Sequence, residues 1–273
     1  MREASHKSCS YGLIGYPLGH SFSERYFGEK FAAEGIAGCS YSAYPIESIE
    51  QLPELIAAQR LDGFNVTIPY KQVILPYLDA IDPEAAEVGA VNCVKVERGG
   101  GKTKLIGYNT DIYGFKISLL ELLGGELPKG ALVLGRGGAA KAVRHVLLRL
   151  GIDCIMVTRG GQPSRYETPM EVDSEIPQIT FQDVIAKPQI LEDNPLIINC
   201  TPLGTYPDVE NAPMLPYEAL TNANVLYDLV YNPPLTRFLR YGAQAGARTV
   251  NGYRMLTLQA ERSWEIWNNT VKT

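Results

Sequence analysis

The chain has 273 residues, enough for two domains at roughly 100–200 residues each. Hydrophobic residues make up 45% of it, an ordinary globular share, and 25 Lys and Arg against 30 Asp and Glu leave a formal charge of −5. That balance excludes an obvious binder of nucleic acid or of an anionic membrane, so an anionic ligand would be held by local donors against the overall field.

Nothing in the sequence reads as a targeting or membrane segment. The start, Met1 to Ser10, is short and polar, and no apolar run approaches the ~20 residues of a membrane helix. Cys9, Cys39, Cys93, Cys154 and Cys200 are odd in number, far apart and without a CxxC pair, which indicates neither a disulfide framework nor a metal site. The expectation is a reduced, cytoplasmic protein.

Apolar runs alternate with helical patterns. Tyr11–Gly15 reads as a strand, Ser23–Glu34 as a helix, Ser40–Ile46 as a strand, Ile49–Arg60 as a helix and Gly63–Ile68 as a strand. This alternation predicts a mostly parallel sheet. Val91–Glu97 and Lys104–Tyr108 flank the turn-rich Arg98–Thr103 and predict a hairpin. Thr110–Leu123 predicts a helix ending at Gly124-Gly125. A second α/β series follows: strand Ala131–Leu134, helix Ala139–Leu150, strand Cys154–Thr158, then strands Ile197–Asn199 and Val225–Leu229. The pattern between Gly160 and Pro195 is irregular, and Gly252–Trp267 is strongly helical. The domain boundary is placed near Asp111, giving residues 1–110 and 111–251. The last segment, 252–273, is assigned back to the first domain, an assignment that periodicity alone does not make.

The second series opens on Gly135-Arg136-Gly137-Gly138-Ala139-Ala140, between a strand and a helix. In G-x-G-x-x-[GA] the first Gly makes the tight turn, the second lets backbone approach a pyrophosphate, and the small third residue lets helix and strand pack closely. Free N–H groups at the helix start then hold the phosphates. An NAD site places an acid at the end of the next strand, for the ribose diol. Here that strand ends Val157-Thr158-Arg159 with no acid, and Arg159 offers a fork suited to a 2′-phosphate. The cofactor expected is NADP.

Four polar clusters of the first half sit where strands end, which is where α/β folds place ligands. They are His20-Ser21-Phe22-Ser23, Asn65 to Lys71, Ala90-Val91-Asn92 and Asn109-Thr110-Asp111. Lys71 is their only Lys or Arg, and Asp111 their only acid. A Lys–Asp pair can pass a proton to or from an alcohol once burial and mutual charge tune it. Taken singly, each residue also has a plain structural role: Ser23 as a helix cap, Lys71 as a solvated charge, Asp111 as a helix-terminal carboxylate.

Taken in order, the clusters resemble the shikimate dehydrogenases. The resemblance runs from Tyr11 to about Trp267. It rests on Gly15 to Ser23, Asn65 to Lys71, Gly89 to Asn92, Gly107 to Asp111, the glycine cradle, Asn199 to Gly204, Asp228 to Pro233 and Gly252 to Gln259. It implies an N-terminal α/β substrate-binding domain, a C-terminal Rossmann-type NADP-binding domain, and an active site in the cleft between them. The implied reaction is reversible, NADPH-dependent reduction of 3-dehydroshikimate to shikimate in aromatic amino-acid biosynthesis. The catalytic pair falls on Lys71 and Asp111. Ser21, Ser23 and Tyr231 fall where the substrate carboxylate is held, and Thr67, Asn92 and Gln259 where ring hydroxyls are bound. Gly135, Arg136, Gly137, Gly138 and Ala139 match the pyrophosphate loop, Thr158 and Arg159 the 2′-phosphate contact, and Leu229, Gly252 and Met255 the nicotinamide surroundings. The chain departs from the pattern at Glu24 (usually Pro), at Cys93 (usually Thr) and beside Arg159, where Arg165 is the only other base in the following loop. The partner expected is a small molecule, without nucleic acid or membrane, for a monomer or homodimer. Two alternatives remain open at this point: a quinate/shikimate dehydrogenase using NAD, and a non-catalytic shikimate-like ligand-binding regulator.

Overall fold

The structure, a computed structural model, describes residues 8–19, 22–160 and 177–271. They form two compact units. One holds the described residues up to Thr110 together with those from Ala260 onward, and the other spans Asp111–Gln259.

The first unit begins with β1 (Cys9–Gly15), α1 (Phe22–Ala33), β2 (Cys39–Pro45), α2 (Leu52–Gln59) and β3 (Gly63–Val66). β1 pairs in parallel with both β2 and β3. The chain continues through β4 (Ala80–Ile81) and α3 (Pro83–Val88), a short helix that Asp82 caps by accepting from the N–H groups of Glu84 and Ala85. β5 (Cys93–Gly99) and β6 (Lys102–Tyr108) form the expected hairpin, but its turn shrinks to Gly100-Gly101. Both glycines take positive φ, 57° and 76°, the geometry a two-residue connection requires. β3 pairs antiparallel with β5, so the sheet order β2-β1-β3-β5-β6-β4 is mixed in direction.

The chain then passes through α4 (Thr110–Leu123), β7 (Gly130–Leu134), α5 (Gly138–Arg149), β8 (Asp153–Thr158), β9 (Gln178–Thr180), α6 (Phe181–Ala186), α7 (Ile190–Asp193), β10 (Leu196–Asn199), β11 (Val225–Asp228), α8 (Arg237–Gln244), β12 (Arg248–Val250) and α9 (Tyr253–Trp267). The sheet order is β12-β11-β10-β7-β8-β9, with every pairing parallel. The order reverses between β7 and β10, the switch point at which open parallel sheets bind nucleotides. Leu132, Leu134, Val157, Ile197 and Leu226 are buried without exception, as strands covered on both faces demand. The segment left irregular by the sequence contains β9, α6 and α7, while 161–176, with Arg165, lies outside the described residues.

α9 carries the chain from one unit into the other. Its far end completes the first unit's aromatic core: Tyr11 stacks on Trp267 at 4.6 Å between ring centroids, with Phe27 and Tyr41 packed around them. The Trp267 indole N–H donates to the Val94 carbonyl at 3.0 Å. Gly63 is bare because a Cβ there would lie 2.3 Å from the Trp267 ring.

One expectation is corrected. Cys9 and Cys39 form a disulfide, with Cα atoms 4.5 Å apart. They stand opposite each other as the first register pair of β1 and β2, a juxtaposition that a sequence separation of 30 does not reveal.

Candidate active site

In the first unit, hydrogen bonds tie three of the polar clusters together. Thr67 follows β3 directly; its N–H donates to Ile14 O at 2.9 Å, and its carbonyl accepts from the Tyr70 N–H at 2.9 Å, turning the chain toward Lys71. Gly15 permits this approach, since a Cβ there would meet Thr67 Cγ2 at 2.5 Å. The Lys71 carbonyl accepts from the Val91 N–H at 2.7 Å. Asn92, buried, accepts at its backbone carbonyl from the Val66 N–H at 2.8 Å and donates its own N–H to Tyr108 O at 3.1 Å. Asn92 Oδ1 accepts from the Thr110 N–H at 2.6 Å and from Thr110 Oγ1 at 3.2 Å. Asp111 is the next residue, buried in the first turn of α4 and first in sequence of the second unit.

Ser23 is the second residue of α1 and buried, so it lies inside the helix rather than capping it. Its hydroxyl meets that of Tyr41, which burial pushes well above the usual phenol range. Tyr41 donates to Asn65 Oδ1 at 2.9 Å. Ser21 lies outside the described residues. Asn109, which carried no assigned role, donates from Nδ2 to Ala90 O at 2.8 Å. Among the described residues its Oδ1 is the one buried side-chain polar atom without a hydrogen-bond partner.

Tyr231 and Gln259 belong to the second unit, as Asp111 does. Tyr231 is half-buried in the loop after β11, and Gln259 is buried on α9, donating from Nε2 to Leu256 O at 2.9 Å.

The glycine cradle occupies the switch point of the parallel sheet. Gly135 has φ 113°, and its N–H donates to Val157 O at 2.9 Å. A Cβ on it would lie 3.4 Å from the Cys200 carbonyl and from Thr201 Cγ2 beyond β10. Arg136 is half-buried. Gly137 is the N-cap of α5 and brings no capping side chain, so none claims the leading N–H groups of the helix, where Gly138 and Ala139 stand. Nothing lies within 4 Å of where a Gly137 Cβ would be. An open, uncapped helix start behind a glycine turn fits a pyrophosphate. At the end of β8, Thr158 Oγ1 accepts from the Gly160 N–H at 3.3 Å and from Gln178 Nε2 at 3.2 Å, and Arg159 beside it is exposed. That arrangement fits a 2′-phosphate.

Gly252 donates its N–H to Val230 O at 3.1 Å, and a Cβ there would lie 2.1 Å from the Leu229 carbonyl oxygen, so only glycine allows the approach. Met255 is buried one turn further along. Asp228, fully buried, sets this loop: it accepts from the Val230 N–H at 3.0 Å, Asn199 Nδ2 at 2.9 Å and Thr236 Oγ1 at 2.6 Å. Burial pushes its carboxyl up to about 6 despite those donors. The sequence held a signal for it, an acid closing the apolar strand Val225-Leu226-Tyr227.

Among the described residues no group of three His, Cys, Asp or Glu is placed to hold a metal. A parallel sheet with a dinucleotide cradle, and a mixed sheet that gathers hydroxyls, amides and a lysine at its strand ends, define a two-unit α/β dehydrogenase. Residues 13–94 match the family model described as shikimate dehydrogenase substrate binding domain. A shikimate dehydrogenase (NADP(+)) of Carboxydothermus hydrogenoformans is 38% identical over 269 residues, covering 94% of this chain and 90% of its own. A crystal structure of a shikimate dehydrogenase in complex with NADP+ superposes with a TM-score of 0.82 at 34% identity, covering 96% of this chain and 91% of its own. The shikimate 5-dehydrogenase of Thermus thermophilus, in complex with NADP(H) and shikimate, gives 0.78 at 29% identity, covering 97% and 95%. The chain belongs to the shikimate dehydrogenase family.

Proposed function

We propose that this chain reduces 3-dehydroshikimate to shikimate with NADPH, reversibly, acting in the cytoplasm as a monomer or homodimer. The observation that carries the reading is the hydrogen-bonded knot that fixes the Lys71 turn, the Asn92 loop and the start of α4 in one place. NADPH supplies the hydride. Lys71 Nζ gives a proton to the C3 oxygen as the carbonyl becomes an alcohol, and takes it back in reverse; Asp111 is its acidic partner. Ser21, Ser23 and Tyr231 hold the carboxylate, and Thr67, Asn92 and Gln259 the ring hydroxyls. Gly135 to Ala139 cradle the pyrophosphate, Thr158 and Arg159 take the 2′-phosphate, and Leu229, Gly252 and Met255 surround the nicotinamide. Among the described residues no helix is long and apolar enough to cross a membrane.

The test follows nicotinamide absorbance with shikimate or quinate and NADP or NAD in four combinations, on wild type and Arg159→Ala. Shikimate with NADP should turn over fastest. Arg159→Ala should raise KM for NADP by about tenfold or more and leave that for NAD nearly unchanged, because a charge-assisted contact is lost only with the 2′-phosphate. Preferred turnover of quinate with NAD would favour the first alternative. Shikimate binding without turnover would favour the regulator.

A further inference from the structure

Gly114 is buried in the interior of α4, a place where local physics argues against it. Glycine is among the poorest residues for a helix interior, and alanine is the best. A residue that breaks a local rule has its reason elsewhere in the fold.

The reason is α9. A Cβ on Gly114 would lie 2.6 Å from the Met255 carbonyl oxygen, and 3.2 Å from both the amide nitrogen and the Cβ of Gln259. The nearest of these atoms is backbone, which cannot swing aside as the end of a side chain can. The two helices therefore meet main chain to main chain, and the residues around the meeting point are those the functional reading gives to the reaction. Asp111 stands three residues before Gly114, on the same side of α4. Met255 and Gln259 stand one turn apart on α9. All four belong to the second unit. α4 is also tied to the sheet of that unit. The Ser118 hydroxyl donates to the Gly114 carbonyl at 2.8 Å and lies 2.6 Å from the Tyr227 hydroxyl of β11, and the Phe115 and Tyr227 rings meet edge to face at 5.2 Å between centroids. With α4 held to β11 while its backbone rests on α9, a methyl on Gly114 must displace one helix from the other.

We propose that Gly114 is a positioning residue for the reduction: its bare Cα sets the spacing between Asp111 on α4 and the pair Met255 and Gln259 on α9. The inference rests on the proposed shikimate reaction and adds a residue that acts only through those three side chains. An extra methyl moves the acidic partner of Lys71 away from the neighbour of the nicotinamide and from the ring-hydroxyl contact, where a misplacement of about 1 Å can cost about 100-fold in rate.

The experiment compares Gly114→Ala, Gly242→Ala and Tyr227→Phe with wild type in steady-state shikimate oxidation and in urea unfolding. Gly242→Ala, in α8, is the packing control: its methyl would lie 2.6 Å from Leu226 Cδ2 and 3.1 Å from Thr249 Cγ2, neither of them a site residue. Folded Gly114→Ala should lower kcat by about tenfold to 100-fold and raise KM for shikimate by about threefold to tenfold, the latter the range of one lost hydrogen bond. A mere loss of folded enzyme lowers apparent kcat and leaves KM in place. Gly242→Ala should lower the urea midpoint and keep kcat and KM for shikimate within about twofold of wild type. Tyr227→Phe adds no atom and releases a tie between α4 and β11, so it should raise KM for shikimate by about twofold to tenfold. Where Gly114→Ala gives no folded protein, Tyr227→Phe decides. Unchanged KM for shikimate in folded Gly114→Ala, or an equal rise in Gly242→Ala, overturns the positioning role. So does unchanged KM in Tyr227→Phe where that variant decides. If wild type itself fails to oxidise shikimate, the functional reading falls and this inference with it, an outcome distinct from the others.

Discussion

The two units present chemistry at their strand ends by opposite means. In the second, the bare backbone does it: Gly135, Gly137 and Gly252 leave space or allow contact where any side chain would intrude or alter the cradle. In the first, side chains do it, and Asn65, Asn92, Thr110 and Ser263 lean on one another. A cofactor shared across chemistries needs a generic phosphate cradle, which main-chain N–H groups provide. A particular polyol needs donors and acceptors in a fixed order, which only side chains supply.

The sharpest attack on this contrast removes the one cation of the first unit's clusters. Lys71→Ala should lower kcat for shikimate by about two orders of magnitude or more, with little change in KM, because a positioned general acid contributes about 10²–10⁴-fold. NADP binding, followed by fluorescence, should survive. Lys71→Arg should not restore turnover, since a guanidinium does not release its proton near neutral pH. Near-normal kcat in folded Lys71→Ala would take Lys71 out of the mechanism.

The converse attack adds atoms to the second unit. Gly252→Ala places a methyl against the Leu229 carbonyl and should destabilise by about 1–3 kcal/mol, read as a lower urea midpoint. Gly137→Ala meets nothing within 4 Å, so the urea midpoint should stay in place while KM for NADP rises. Equal stability of the two variants would refute the close approach at Gly252.

The smallest effect is a pH slope. The Asp228 carboxyl is raised to about 6 by burial, above its ordinary 3.8, so the folded state holds its proton where the unfolded chain has released it. Its ionisation therefore opposes folding: the cost is absent below pH about 4, grows as pH rises, and is complete above about 6, with a slope of up to about 1.4 kcal/mol per pH unit. Asp228→Asn should remove that component, with the Thr236 hydroxyl turning to accept from the new amide. Identical slopes for variant and wild type between pH 4 and 6 would show that Asp228 does not titrate there.

Legibility followed the distance between partners. The cradle could be read because strand, glycine turn and helix are contiguous, and the β5–β6 hairpin because its turn residues lie between its strands. α3 carries a readable signal, Asp82 followed by Pro83. α8 and β12 are short elements that offered little period to find. The roles of Lys71 and Asp111 came from ordered motifs rather than from spacing. Ser263 and the Cys9–Cys39 bond were invisible, because each depends on a register or a helix placement set far along the chain. Ser263 lies 198 positions from Asn65 and 153 from Thr110.

The path of α9 also bears on how the protein is made. Chains emerge from the ribosome N-terminus first, and domains generally fold as units in that order. Here the first unit waits. Trp267 is the ring that fills the gap over Gly63 and stacks on Tyr11, and Ser263 is the hydroxyl that completes the buried knot. Both come after the last residue of the second unit. The second unit, closed by Gln259, has all of its chain before the first has its core, so the N-terminal unit is the later of the two to mature. A nascent chain halted just after Gln259 would hold all of the nucleotide unit's residues, and a substrate unit still without Trp267 and Ser263.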